Sequence, residues 1–146
     1  MKNSILLLIC AFFALNVNAQ SVPGTNDPKA IQAVKATAQS QIQSFINNLN
    51  TNGHDVVNYR FLVKSDIVQG SNHEHIWVRA LGYNNGVFKV VFIQSPFKLK
   101  GIKIGDKSTV TSDKVEDWSI YSTRTDKTTG DFTLKYIQDK TKVRAK

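Results

Sequence analysis

A long apolar stripe in the first third of the chain constrains its fold more than any other feature. Apolar side chains recur every three or four residues, at Ile31, Val34, Ala38, Ile42, Phe45 and Leu49. This spacing is typical of an amphipathic α-helix that lays one face on a core. Asp27 suits the N-cap, Pro28 suits the first helical position, and residues 50–53 end the pattern. The sequence therefore predicts one continuous helix over Asp27–Asn50, roughly 33 Å long.

Strand patterns dominate the next part of the chain. Apolar and polar residues alternate over Tyr59–Lys64, as in a half-buried strand. A second strand is predicted over Glu74–Leu81, with Ile76, Val78 and Ala80 on one face and His75, Trp77 and Arg79 on the other. Asn85-Gly86 predicts a two-residue hairpin turn. The following Phe88–Gln94 is apolar on both faces, which predicts an interior strand covered on both sides.

The C-terminal part of the pattern is less regular. A fourth strand is predicted up to Val110, after a turn at Gly105-Asp106. Asp113 and Glu116 resemble a capping box, which predicts a short helical turn through Trp118. Beyond it, the expected elements are a fifth strand at Ile120–Thr123, a turn at Thr128–Gly130 and either a strand or a helix at residues 132–142. We therefore expect an α+β fold in which the amphipathic helix packs on a bent antiparallel sheet of about five strands.

The N-terminal residues have the pattern of a cleaved signal peptide. Lys2 gives a positive start, residues 5–15 are apolar, and small residues follow. The apolar run is too short to span a bilayer as a permanent helix. The expected organisation is a signal peptide at 1–19, cleaved between Ala19 and Gln20, a flexible lead-in segment at 20–27 and a single domain at 28–146. We expect the processed protein to be periplasmic or secreted, with no transmembrane segment.

Cysteine chemistry is excluded from the processed chain. The only cysteine is Cys10, which lies within the predicted signal peptide. Ile9 before it and the apolar residues after it disfavour a lipoprotein anchor. Without a thiol the processed chain forms no disulfide, no thiolate zinc site and no thiol nucleophile. Since no phosphate-binding glycine loop, serine elbow or Ser/His/Asp arrangement is visible either, no cofactor is predicted.

The formal net charge of the chain is +8. A basic surface favours acidic or polyanionic partners, although charges of about 2 to 8 also serve solubility alone. Four lysines form a local basic run beside Phe97, at Lys98, Lys100, Lys103 and Lys107. Aromatic and basic residues together can bind single-stranded nucleic acid. Export to the cell exterior argues against that partner, and lysines on an edge strand also oppose aggregation.

His73-Glu74-His75 is the one cluster that suggests metal chemistry. In a strand, His73 and His75 point to the same face, and two imidazoles can share a zinc ion. Such a site needs a third ligand, which His54 or Asp66 would have to supply through folding. The alternative is a strand end with an exposed His73 and a hydrogen-bonded His75.

The order of several short segments resembles the YegJ-like family of exported bacterial domains of unknown function. The segments are Phe61–Lys64, Glu74–Val78, Asn85-Gly86, Gln94–Pro96, Lys103–Asp106, Asp117–Tyr121 and Gly130–Leu134, where Asp131 stands at the second glycine of the family's Gly-Gly-Tyr-Thr. The resemblance implies a small α+β domain with a helix after Thr133 and no established activity, cofactor or catalytic residues. The family's recurrent Glu-His-x-Trp and Asp-Trp segments correspond here to Glu74, His75, Trp77, Asp117 and Trp118, as a shared surface or a shared core.

These features favour a non-catalytic binding or interaction domain with an unknown protein or small ligand in the cell envelope. The expected surface carries His75, Trp77 and Arg79, with Trp118 nearby, since Trp and Arg are enriched at binding hot spots. One alternative is a metal-assisted hydrolase that uses His73 and His75. Another is an envelope inhibitor or immunity-type protein that binds another protein.

Overall fold

The computed structural model describes residues 27–144, and the predicted signal peptide and most of the lead-in segment lie outside them. The helices are α1 (Pro28–Ser40), α2 (Ile42–Asn52) and α3 (Phe132–Arg144). The strands are β1 (Tyr59–Gln69), β2 (Asn72–Asn84), β3 (Val87–Phe92), β4 (Lys107–Thr111), β5 (Val115–Ser122) and β6 (Lys127–Gly130). The α+β class is confirmed, and the described strands form one antiparallel sheet of six strands in the order β4-β3-β2-β1-β5-β6.

One face of the sheet, here called the core face, packs against the helices. Phe45 of α2 lies at its centre, with its ring 5.8 Å from that of Phe61, 5.7 Å from that of Phe88 and 5.4 Å from that of Trp118. Ile76, Val78 and Ala80 of β2 are buried on the same face, as predicted. The opposite face, here called the outer face, carries the alternate residues of the same strands.

The predicted single helix is wrong at Gln41, where the backbone breaks it into α1 and α2. Gln41 has φ −114° and ψ 6°, outside the helical range. The carbonyl of Ala38 accepts hydrogen bonds from Gln41 N at 3.2 Å and from the Trp118 indole Nε1 at 3.0 Å. The helix therefore breaks at the point where the indole of a core tryptophan donates a hydrogen bond to a helix carbonyl. The predicted helix start is confirmed, because the Asp27 side chain accepts a hydrogen bond from Lys29 N.

The predicted capping box is also wrong. Residues 112–114 form a single 3₁₀ turn, and Glu116 and Trp118 lie in strand β5, which begins at Val115. Long-range contacts hold this segment: the Gln39 amide donates to the carbonyls of Ser112 and Val115, at 2.8 and 2.7 Å. These tertiary hydrogen bonds outweigh the local preference for a capping box.

Two further expectations need correction. The predicted turn at 128–130 is part of strand β6, which adds a sixth strand to a sheet predicted to have about five. The third strand is interior, but its second face is not covered, because Val91 is only partly buried and Lys89 is exposed. The C-terminal helix is confirmed and begins at Phe132. Among the described residues, no helix is long and apolar enough to cross a membrane.

Candidate binding face

The centre of the outer face carries a partly exposed cluster, which we call the outer-face patch. Its members come from three neighbouring strands and are Leu62, Trp77, Arg79 and Val91. Arg79 lies directly opposite Leu62 on β1 and Val91 on β3. Trp77 follows on the same face of β2, opposite Lys64. The alternation of β2 thus places an aromatic ring and a guanidinium side by side, as the sequence predicts.

The charge of this face is positive. Arg79 forms no ion pair with any residue of the part that the structure describes. Lys89 and Lys107 are exposed on neighbouring strands of the same face, and Lys107 lies opposite Val91. Arg60 lies further along β1, with its guanidinium 5.9 Å from the centre of the Tyr121 ring. The patch is therefore an apolar and aromatic surface in a basic surrounding.

Tyr121 contributes a neutral hydroxyl to the edge of this face. Its phenol donates a hydrogen bond to the Asp126 carboxylate at 2.8 Å. That hydrogen bond raises the pKa of Tyr121 above its usual value, with the negative charge of Asp126 as the next cause. The phenol therefore stays protonated at neutral pH and remains a donor.

The two histidines lie beside the patch, each paired with a different carboxylate. Nδ1 of His73 is 2.8 Å from Oδ2 of Asp66, and Nδ1 of His75 is 2.8 Å from Oε2 of Glu116. Both imidazoles are about half exposed, whereas the Glu116 side chain is 13% exposed. The fold thus brings Asp66 to His73, as one of the two predicted third partners, and brings the unexpected Glu116 to His75.

The two imidazole–carboxylate pairs define which atoms a metal ion could bind. A carboxylate on Nδ1 leaves Nε2 of each imidazole available as an acceptor, an orientation often seen in metal-binding histidines. Oδ1 of Asp66 is buried and has no hydrogen-bond partner among the described residues. No group of three or more His, Cys, Asp or Glu side chains within residues 27–144 is placed to hold a metal ion. The described part supplies a pair of imidazoles and their supporting carboxylates.

A cleft of about 600 Å³ lies next to this pair, between β1, β4 and the 3₁₀ turn. Its charged lining residues are Lys35, Asp66, His73, Lys114 and Glu116, and hydroxyl side chains of Ser and Thr line the rest together with the aliphatic Ile67, Val68 and Val110. Within the described residues each imidazole hydrogen-bonds to a carboxylate and not to a hydroxyl. The cleft depends on the β4–β5 connection crossing the sheet, which no local sequence pattern predicts.

Trp118 does not join the candidate surface. Its side chain is 1% exposed and packs on the core face, with its ring 5.2 Å from that of Phe132. The family resemblance leaves open whether the Asp-Trp segment belongs to a surface or to the core. The burial of Trp118 assigns this tryptophan to the core. His75, Trp77 and Arg79 do share one face, so three of the four expected surface residues come together.

Asp117 likewise has a structural place. Its carboxylate is fully buried and accepts hydrogen bonds from the backbone N–H groups of Trp118, Phe132 and Thr133, at 2.8, 3.0 and 2.8 Å. Burial, followed by the negative charge of Asp117, raises the pKa of neighbouring Asp131. Asp131 also has a positive φ of 55°, which explains why a glycine or an Asp fits there.

Sequence reasoning missed part of the patch. The sequence pattern places Leu62 and Val91 in strands without indicating a surface role, and it predicts that Val91 is covered. The signal was present in the apolar pattern of both faces of β3, which fits an exposed binding face as well as a buried one.

Comparisons with known proteins agree with this description of a small domain. The family described as "Uncharacterized protein conserved in bacteria (DUF2314)" matches residues 27–146. The chain is 28% identical over 138 residues to "Uncharacterized protein YegJ" of Escherichia coli (strain K12), covering 92% of this chain and 86% of that protein. No solved structure matches significantly. The match across all described helices and strands shows that this chain belongs to the DUF2314 family of bacterial proteins.

Proposed function

We propose that this protein is a non-catalytic binding domain that acts outside the cytoplasm and uses the outer-face patch to bind an acidic partner protein. The leader-like pattern of residues 1–19 supports the compartment. The observation that carries the binding role is the position of Arg79, which lies between two partly exposed apolar side chains, next to Trp77, without a described ion-pair partner.

The composition of the patch suits a binding site for protein. Trp and Arg contribute more to interface affinity than other residues, because they combine large contact area with a polar or charged group. A guanidinium with open donors suits a carboxylate, which it can bind through two parallel hydrogen bonds. Neighbouring Lys89 and Lys107 add positive potential, which speeds the approach of an acidic partner.

The proposal is tested by capture from a bacterial envelope extract at low and at high salt. Three immobilised proteins are compared: wild type, the double variant Trp77→Ser/Arg79→Gln, and the control Val57→Ser/Lys127→Gln. The control removes one exposed apolar side chain and one positive charge at the far end of the sheet; Val57 is 78% exposed. All three should fold, because the substituted side chains lie outside the core.

We expect wild type and control to capture the same acidic protein at low salt, with less at high salt, and the patch variant to lose it. Equal capture by all three proteins, or no capture at low salt, overturns the proposal. The identity of the captured protein also shows whether the domain acts as an inhibitor, since an inhibited enzyme loses activity on binding.

A two-histidine metal site is the second candidate. It is favoured by the paired arrangement in which Asp66 and Glu116 hold Nδ1 of His73 and His75 and leave both Nε2 atoms open. Calorimetric titration with zinc tests it, with His73→Ala/His75→Ala as the variant and His54→Ala as the control. Heat that disappears only in the double variant supports the site, and no heat with wild type eliminates it.

A further inference from the structure

The loop between β3 and β4, residues 93–106, forms a closed projection at one end of the sheet. Its base is closed by two backbone hydrogen bonds of Phe92, which donates to the carbonyl of Asp106 and accepts from the N–H of Gly105, both at 2.9 Å. The antiparallel order places this loop beside the β1–β2 hairpin. The α2–β1 connection, which contains Val57, lies at the opposite end of the sheet.

Side chains of the β1–β2 hairpin hold this loop in one shape. The Glu74 carboxylate accepts from the N–H groups of Phe97 and Lys98, at 3.0 and 2.8 Å. Gln69 both accepts from Lys100 N and donates to its carbonyl, at 2.7 and 2.9 Å. Leu99 is buried, with 3% of its surface exposed. Four hydrogen bonds and one buried side chain fix residues 97–100, so this part of the loop has little backbone entropy to lose on binding.

The same anchoring turns other side chains outward. Phe97 is 94% exposed and Ile104 is 66% exposed, on the same loop as the buried Leu99. Exposed lysines lie between and beside them, at Lys98, Lys100 and Lys103. We call these five residues the apolar–basic tip. Two large exposed apolar side chains on one short loop, with three exposed lysines around them, are the combination that is typical of an interaction site.

We propose that the apolar–basic tip attaches the protein to the surface of an anionic lipid bilayer, with Phe97 and Ile104 in the headgroup region and the three lysines on lipid phosphates. This goes beyond the proposed function, because the tip and the outer-face patch share no residue. Interfacial anchors combine apolar insertion with electrostatic attraction to acidic lipids, and this tip contains both on one projection.

A bilayer fits the tip better than the other polyanion that a basic loop could bind. Single-stranded nucleic acid is held by several aromatic side chains on which successive bases stack. The tip has one aromatic ring, and its second apolar side chain is the aliphatic Ile104, which gives no stacking surface. Both side chains suit an acyl-chain boundary. A projecting tip also suits a soft, extended surface more than a concave pocket.

The test is co-sedimentation with vesicles. The protein is purified from cells that express the full chain, its N terminus is identified by mass spectrometry, and the same form is used for every variant. Vesicles of phosphatidylcholine alone are compared with vesicles that contain about one third phosphatidylglycerol, at low and high salt. The tip variants are Phe97→Ser and the triple variant Lys98→Gln/Lys100→Gln/Lys103→Gln.

Each variant has a matched control at a distance from the loop. Val57→Ser removes an exposed apolar side chain at the opposite end of the sheet. The triple variant Lys29→Gln/Lys127→Gln/Lys140→Gln removes the same amount of charge from other exposed positions. Lys98 and Lys100 donate to Glu74 and Gln69, and Lys103 to Asp106, through their backbone N–H groups, so substitution with glutamine keeps these anchors.

We expect binding to the anionic vesicles only, with partition falling about tenfold in Phe97→Ser and at least as much in the triple tip variant, since one lysine near an anionic surface contributes about fivefold. The controls should bind like wild type. Equal binding to neutral vesicles, equal loss in the charge control, or no binding to anionic vesicles overturns the proposal. So does tighter binding of a single-stranded oligonucleotide that Phe97→Ser abolishes. A marked loss of thermal stability in Phe97→Ser also contradicts it, because it would place that ring inside the fold.

Discussion

Asp117 and Trp118 are neighbours on β5, and their side chains hydrogen-bond to different helices. The Asp117 carboxylate accepts from the first N–H groups of α3, at Phe132 and Thr133. The Trp118 indole donates to the carbonyl of Ala38, next to the break between α1 and α2. The Asp-Trp segment therefore joins the N-terminal and C-terminal helices to one strand. This structural role explains two of the residues on which the family resemblance rests.

Replacing Asp117 with asparagine should destabilise the fold by about 1–3 kcal/mol. The carboxylate accepts from three backbone donors, and an amide presents one acceptor and one donor to the same groups, so at least one buried N–H loses its partner. Urea unfolding followed by circular dichroism measures the change. Asp139→Asn, at an exposed position of α3, is the control and should be neutral. Equal stability of the two variants would contradict the role of Asp117.

Gly130→Ala should cost several kcal/mol. Gly130 has φ +83°, and a Cβ there would lie 2.2 Å from the Trp118 carbonyl oxygen and 2.4 Å from its ring. Backbone strain and a clash with the core act together. Gly86→Ala is the matched control, because Gly86 has a similar φ of +82° but a Cβ there meets nothing within 4 Å. Thermal unfolding should separate the two variants clearly, and a similar melting temperature for both would refute the close approach.

Asp131→Asn should stabilise the protein near neutral pH and not in acid. The pKa of Asp131 is raised by burial and then by Asp117, so the ionised form is disfavoured in the folded state. A raised carboxyl pKa means that stability present at low pH is lost as pH rises through that pKa. Asparagine removes this loss and tolerates the positive φ.

The gain should stay below about 1 kcal/mol, because Asp131 is only partly buried and solvent screens its charge. Melting temperatures of wild type and variant across acid and neutral pH measure it. We expect the two curves to meet in acid and to diverge towards neutral pH. A constant difference at every pH would show that the charge of Asp131 is not the cause.

Tryptophan fluorescence should report the two indoles separately. Trp77 is partly exposed and Trp118 is buried, so acrylamide should quench one population only. In Trp77→Phe the remaining emission should be blue-shifted and protected. Two protected indoles in wild type would mean that the outer-face patch is covered, which contradicts a free binding surface.

Local patterns predicted the parts of the fold that local physics controls. The N-cap at Asp27, the Asn85-Gly86 turn with φ of 46° and 82°, and the two faces of β2 agree with the structure. The single helix over 27–50 and the capping box at Asp113 failed. In both cases long-range hydrogen bonds, from Trp118 and from Gln39, outweigh a local preference.

The candidate surface could likewise be predicted only in part from the sequence. Period-two alternation placed His75, Trp77 and Arg79 on one face without any knowledge of their neighbours. It gave no information on which strands would flank them, so the meeting of Glu116 with His75 required the fold. Trp118 was misplaced because the predicted helical turn put it outside the sheet, where alternation could not assign its face.

The most direct test of the binding role is the dissociation constant of an acidic peptide, selected from a random display library on the wild-type protein. The peptide is measured against wild type, Arg79→Gln and the equally charged control Lys127→Gln. The account predicts that Arg79→Gln weakens binding about tenfold or more, as expected for a central arginine, and that the control does not. The same affinity for all three proteins would show that the outer-face patch is not the binding site.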